Sequence, residues 1–481
     1  MEQVITKGIE PAAVLGYFEA ISAIPRGSGN EEGIANFLES FAKERGFFVV
    51  RDALHNVFIR KDASPGHEDA PALLLQGHTD IVCEKNADVA HDFLTDPIPL
   101  YVDGNWLTAK GTTLGSDNGI AVAYMLAALD DDALLHPTLE CLFTTQEEVG
   151  LDGAQFFDAS VVTAKTMVNL DCGPEGTSVV SCAGGMRIDM SLRLAQVPFS
   201  GNAMRLFVTG LVGGHSGGQI DKYLGNANRI MGRILSKVKD VSIISMTGGS
   251  KDNAIPRECE AIVAAPDLKQ AMDAVEEMTS IIKEELGPDD HDFSVSLEMV
   301  EAPKTMGSVA DSKKVWQLLC VAPNGVIKMS HAISGLVDAS SNMGVVVTEG
   351  DQITVSFSPR ASRESLNDET EARLHILAEI LGFTVKTRSR YPGWAFDEES
   401  RIREIVGEVY QEMTGEEMQT RAVHGGLECG ILKSKIPGLD VVAIGPDAEG
   451  AHSPDERLNL PSANRTWLFL RNVITRMANE K

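Results

Sequence analysis

"LLLQGHTDIVCEKN", residues 73–86, runs from three leucines straight into a histidine and an aspartate. The apolar run is too short for an ordinary helix and reads as a strand buried on both faces. His78 and Asp80 then stand at its carboxyl end, where open α/β sheets bind their ligands. An H-x-D pair suits a metal, because one ring nitrogen can ligate while a nearby carboxylate orients the ring. Taken singly the triplet is weak, since structural histidines are commoner than ligands.

The surrounding chain repeats the pattern. Apolar residues at helical spacing fill 12–24 and 32–46, followed by strand-like "NVFIRK" (56–61). "DNGIAVAYMLAALDD" (117–131) predicts a helix with acid at its start, which suits the macrodipole. "LECLFTT" (139–145) and "TMVNLD" (166–171) predict further strands. From about Arg187 the texture changes to half-exposed alternation, as in "MRIDMSLRLAQ", with amphipathic helices over 223–239 and 268–286. After "YPGWAF" (391–396) the first texture returns, with the strand "GLDVVAIGP" and a terminal helix. Strands alternating with helices imply an α/β domain with a mixed, largely parallel sheet and helices on both faces. It is split, over 1–185 and 395–481, by an inserted α+β domain over 186–394 whose length fits two similar lobes.

Length and composition agree with this. The 481 residues exceed one ordinary core, and 43% apolar with 23% charged content is normal for a soluble protein. A net charge of −27 argues against nucleic acid and anionic membrane surfaces as partners. No apolar run approaches the roughly 18–20 residues of a membrane span, and the N-terminus lacks a signal-peptide pattern, so a cytoplasmic protein is expected. The seven cysteines are scattered and odd in number, without a CxxC pair. A disulfide framework and a thiolate zinc site are therefore not expected.

Four more segments deliver metal-type ligands. Glu147 and Glu148 follow a strand in "TTQEEVG", Asp171 ends one in "VNLDCG", and His452 follows another in "GAHSPDERL". Asp117, in "LGSDNG", opens a helix; it either caps that helix or leaves capping to Ser116 and stays free. Each has a surface-loop or capping explanation alone, but five such segments together point to a metal. Two histidines, several carboxylates and no thiolate suit zinc, with manganese or cobalt as substitutes. The carboxylates outnumber what one tetrahedral ion can use. Two ions bridged by one carboxylate, ~3.5–4 Å apart, fit better.

These stretches, together with "YFEAISAIPRGSGNEEGIANFL", "GLVGGHSGGQID", "DNAIPRE" and "HGGLECGIL", run in one order across nearly the whole chain. In that order the chain resembles the aminoacyl-histidine dipeptidases. They are a branch of the di-zinc metallopeptidases that also includes carboxypeptidase-, aminoacylase- and deacylase-type enzymes. One departure is "DALHNVFI", where His55 stands in place of the usual glycine. The resemblance implies that Asp117 bridges two ions, that His78 and Asp171 complete one, and that Glu148 and His452 complete the other. Asp80 would hold the His78 imidazole, and Glu147 would be the general base for attack of a hydroxide shared by the two ions. His215 would be a lid histidine that stabilises the oxyanion. Asn253 and Arg360, with the backbone of His424, Gly425 and Gly426, would bind the substrate carboxylate; Arg363 is a second candidate cation.

The inserted domain would then be a lid and dimerisation domain, hinged near Gly184–Gly185 and Tyr391–Trp394. The substrates implied are unblocked dipeptides, Xaa-His (carnosine-like) types included, and a homodimer is expected. Two other readings share the fold: an N-acyl amino-acid deacylase and a catalytically silent binding protein. The whole-chain order and "HGGLECGIL" favour the dipeptidase, and the presence of Glu147 with all five ligands speaks against silence.

Overall fold

Leu73–His78 is a strand buried along its entire length, as are the six residues of Leu139–Thr144 beside it. In the computed structural model, which describes residues 3–301 and 303–480, these strands lie at the centre of an eight-stranded sheet. Leu139–Thr144, Leu73–His78, Thr166–Asn169 and Asp440–Ala443 are mutually parallel neighbours. Antiparallel strands flank them, Phe48–Arg51 and Val57–Lys61 on one side and Thr177–Cys182 on the other. Central strands buried on both faces need unbroken apolar character, which is why the leucine run does not alternate. The fold is mixed α/β. The helices Ala12–Ser22 and Ser116–Asp130 pack together, and Ser116–Asp130 also covers Leu73–His78. Arg401–Thr414 and Glu428–Lys435 pack on Asp440–Ala443. A small sheet joins Arg457–Asn459 to Trp106–Ala109 and Leu100–Asp103.

The turn before Val57 accommodates the unexpected histidine directly. His55 takes φ 72°, the left-handed region where glycine is at ease. Asp52 Oδ1 accepts from the amides of Leu54 and Asn56, at 2.9 and 3.0 Å. Arg51 Nη2 lies 2.7 Å from His55 Nδ1. The turn is kept, and local hydrogen bonds hold the histidine in a conformation that disfavours a side chain.

The chain divides into two compact units. The first comprises residues 1–181, 396–422 and 427–481, and the second comprises 182–395 together with 423–426. The second unit is built on a nine-stranded sheet whose pairings are all antiparallel. The helices Ala227–Leu235, Leu268–Glu285, Val309–Val321 and Glu364–Leu381 pack against it around one apolar core. Its first and last strands, Gly184–Arg193 and Thr384–Tyr391, pair with each other. Cys182 and Trp394 exchange both backbone hydrogen bonds at 2.9 Å, and the Ala183 amide donates to the carbonyls of Val423 and Gly425. The segment Val423–Gly426, expected with the first domain, belongs to the second unit.

Candidate metal centre

The parallel strands end at one edge of the first unit, and their carboxyl ends carry His78, the Glu147–Glu148 loop and Asp171. His78 is fully buried. Its Nε2 lies 3.1 Å from Asp117 Oδ1 and 3.6 Å from Asp171 Oδ1. His452 Nε2 lies 3.2 Å from Asp117 Oδ2 and 3.0 Å from Glu148 Oε1. The two oxygens of Asp117 thus face different histidines. Donor atoms of His78, Asp117 and Glu148 all fall within 4.8 Å of one another. His452 holds φ 62°, a strained backbone for a residue with a side chain, and such strain gathers at functional sites.

Sequence neighbours of these ligands fix their placement. Asp80 is fully buried, accepts from Ser28 Oγ at 2.7 Å, and takes the amides of Glu147 and Glu148 at 3.1 and 3.3 Å. His78 Nδ1 lies 3.0 Å from the Asp80 backbone carbonyl and 3.5 Å from its carboxylate. Asp80 therefore orients the ring through its backbone as well as its side chain, and it anchors the paired glutamates too. At the start of Ser116–Asp130 neither expected cap is used. Gly115 precedes the helix in the left-handed conformation without a side-chain cap, and Asp117 is free to face the histidines.

The electrostatics define what charge this cluster accepts. Burial opposes charge on His78, yet Asp171, Asp117 and Asp80 push its pKa well above the ordinary value. The carboxylates of Asp117 and Glu148, close on either side of its ring nitrogen, raise His452 to about 10. Burial, with the charge of Asp117, raises Asp171 to about 7. Burial lifts Glu147 well above the carboxylate range, and the charges of Asp171, Glu428 and Glu148 add to it. Such a cluster of acids demands positive charge at its centre. Glu148 Oε1 is buried without a hydrogen bond, although an imidazole nitrogen stands 3.0 Å away. A carboxylate oxygen and an imidazole nitrogen converging in this way is a ligand pair that a divalent cation can use. The oxygen and imidazole set suits zinc or a harder ion. The residues therefore form a possible metal site.

A layer beneath the ligands was not legible in advance. Gln76, Thr144 and Asn169 are buried polar residues inside apolar strands. Asn169 Nδ2 donates to Gln76 Oε1 at 2.6 Å. Gln76 Nε2 and Thr144 Oγ1 donate to Glu428 Oε2 at 2.5 and 2.7 Å. Burial raises Glu428 to about 7. Gln76 precedes His78 by two residues in one strand and so shares its face, and Asn169 ends its strand two residues before Asp171, whose amide donates to Asn169 Oδ1 at 3.1 Å. A polar side chain interrupting an apolar strand was the available signal.

The remaining expected residues lie in the second unit. His215 pairs with Ala254 across a short ladder, and its Nδ1 accepts from the amides of Gly217 and Gly218 at 3.2 and 3.1 Å. Nε2 therefore carries the proton of the neutral ring. Burial, followed by the charges of Arg360 and Arg187, lowers the His215 pKa. A cavity of about 730 Å³ is lined by His215, Asn253 and Lys251, among others. Arg360 is buried, donates from Nη1 to Tyr391 Oη at 3.1 Å, and leaves Nε without a partner. Arg363 is exposed at the start of Glu364–Leu381. His424 Nε2 lies 2.7 Å from Ser340 Oγ, and Ser340 is the cross-strand neighbour of Arg360. The His424 carbonyl touches Gly217, where a Cβ would stand 2.6 Å from it.

Residues 74–476 match the sequence profile of peptidase family M20/M25/M40. The chain belongs to that family. Its M20-type sequence is 37% identical over 474 residues to the cytosol non-specific dipeptidase of Escherichia coli (strain K12), covering 97% of this chain and 98% of the relative. The crystal structure of an aminoacylhistidine dipeptidase from Vibrio alginolyticus superposes with a TM-score of 0.92 at 36% identity, covering 100% and 99% of the two chains. A tripeptidase from Staphylococcus aureus shares the fold at 16% identity, with a TM-score of 0.57 over 98% of this chain and 100% of that one. No helix among the described residues of this M20-family chain is long and apolar enough to cross a membrane.

Proposed function

We propose that the chain is a metal-dependent dipeptidase that hydrolyses unblocked dipeptides, Xaa-His substrates among them. One observation carries this reading: the two carboxylate oxygens of Asp117 face two different histidines, and a buried Glu148 oxygen converges on the second of them at 3.0 Å. His78 and Asp171 would hold one ion and Glu148 and His452 a second, with Asp117 shared. Zn²⁺ is the simplest occupant, and Mn²⁺ or Co²⁺ would serve. Bound ions supply Lewis acidity toward water and the scissile carbonyl.

The chain's own groups move the proton. Glu147 takes a proton from the attacking water as its oxygen joins the carbonyl carbon. It delivers that proton to the nitrogen as the C–N bond breaks. A carboxyl whose pKa is raised by burial holds a proton long enough to pass it on. Asp80 keeps Glu147 in place through its backbone amide. In the second unit, His215 Nε2–H is the donor for the developing oxyanion. Arg360, with its unpartnered Nε, and Asn253 are the groups for the substrate carboxylate, joined by the backbone of His424, Gly425 and Gly426. That unit would serve as lid and dimerisation domain of a homodimer. A cytosolic location is supported by the Escherichia coli relative's name.

The test is a substrate panel run beside elemental analysis of the purified protein. Carnosine and other free dipeptides should be cleaved by protein carrying two divalent ions per chain, and N-acetyl amino acids should not. Cleavage of acetylated amino acids alone would replace this reading with a deacylase.

A further inference from the structure

Glu456 is a buried carboxylate. Its Oε2 accepts from the amides of Leu114 and Gly115, both at 2.8 Å. Its Oε1 accepts from the amides of Ser116 and Asp117, at 2.8 and 3.1 Å, and from Ser116 Oγ at 2.6 Å. One side chain thus takes every amide from the residue before the left-handed Gly115 to the ligand Asp117. A helix start normally finds its acceptor within its own sequence. Here a serine and an aspartate are in place to act, and the acceptor comes instead from 340 residues further along the chain.

The origin of that acceptor is the informative part. Glu456 stands four residues after His452. Its own backbone is fixed: Thr108 Oγ1 donates to its carbonyl at 2.8 Å, and Arg457–Asn459 pairs with Trp106–Thr108. The segment that carries His452 therefore grips the segment that carries Asp117. On the opposite side of the same peptide stands Arg26, whose side chain is fully buried. Its Nη2 donates to the Gly115 carbonyl at 2.7 Å, and its Nη1 donates to the Thr79 carbonyl, between His78 and Asp80, at 2.8 Å. A Cβ on Gly115 would stand 2.9 Å from Arg26 Nη2, so the close approach depends on glycine. Arg26 and Glu456 carry opposite charges and offset one another, which leaves the negative charge of the ligand cluster for cations.

We propose that Glu456, acting with Arg26, is a positioning residue that fixes Asp117 between His78 and His452 and so sets how tightly both ions are held. The proposal rests on the di-metal reading above. A carboxylate that served only to cap a helix would have no bearing on metal affinity once the protein was folded. A clamp between ligand segments would alter that affinity in the folded protein, as groups behind metal ligands do.

The test compares metal-stripped wild type with Glu456→Gln. Each is titrated with Zn²⁺ against a chromophoric chelator, and the thermal midpoint of each stripped protein is recorded. Glutamine turns one acceptor oxygen into a donor that faces other donors. Metal affinity should fall about 10–100-fold for both ions in protein that is folded before titration. Equal affinities, with or without a lower stripped midpoint, overturn the proposal. A wild type that binds no ion overturns the di-metal reading instead. If Glu456→Gln does not fold, Ser116→Ala is measured in its place, because it removes one of the five bonds and keeps the charge. A weakening of roughly threefold or more supports the clamp, and an unchanged constant overturns it.

Discussion

Glu147 and Glu148 are adjacent and chemically identical, yet their surroundings separate them. The Glu148 oxygen converges with His452 on a common point, while Glu147 is pressed upward in pKa by burial and neighbouring acids. Glu147→Gln should therefore keep the full metal complement and lose about 10²–10⁴-fold in turnover. Elemental analysis beside kcat checks both halves, and near-normal turnover would remove Glu147 from the base role. The ligand-type residues could be picked out because each follows a strand or opens a helix, and a side chain's chemistry is local information. Glu456 and Arg26 could not be picked out. Their value depends on which distant amides and carbonyls they meet, and no local pattern encodes that.

At the scale of elements, strands and helices were readable to within a few residues. Leu73–His78, Leu139–Thr144 and Ser116–Asp130 lie where the apolar runs place them. Sheet order was not readable, because Leu73–His78 inserts between strands that follow it in sequence. That order arises from which faces bury each other, over separations that periodicity does not see. The short helix Asp152–Phe156 shows how such packing reaches the site. A Cβ on Gly153 would collide with the Thr145 carbonyl and lie 2.6 Å from Asn56 Oδ1. Asn56 Oδ1 accepts from the Thr145 amide at 3.1 Å, and Asn56 Nδ2 donates to the Gly153 carbonyl at 3.0 Å, so the chain is held on both sides of the Glu147–Glu148 loop. Gly153→Ala should cost about 1–3 kcal/mol of stability through overpacking and weaken metal binding by shifting the glutamate loop. Urea unfolding and a metal titration of the folded variant measure the two effects. A variant as stable as wild type would show that the neighbouring backbone yields.

For the whole molecule, two compact units predict two separable responses. Removing divalent ions with a chelator should raise hydrogen exchange at 78–80, 114–118, 144–150 and 452–456, and leave the helix at 268–285 unchanged. A uniform rise would mean that metal binding stabilises both units together. Protons should act on the second unit. Burial and then the Arg360 charge depress His424 from 6.5 to about 4. Between those pH values the unfolded chain binds a proton that the folded chain refuses. The contribution is complete above about 6.5 and is lost as pH falls to 4, on the order of 3 kcal/mol. His424→Asn should flatten that part of the pH–stability curve of the second unit, and an unaltered slope would assign it to other groups. Because residues 423–426 belong to the second unit while 396–422 and 427–481 belong to the first, the backbone passes between the two bodies four times instead of twice. Splicing residue 181 directly to 396 would not yield a clean stand-alone half; it would strand a tetrapeptide without its neighbours, inside the very chain meant to stand alone.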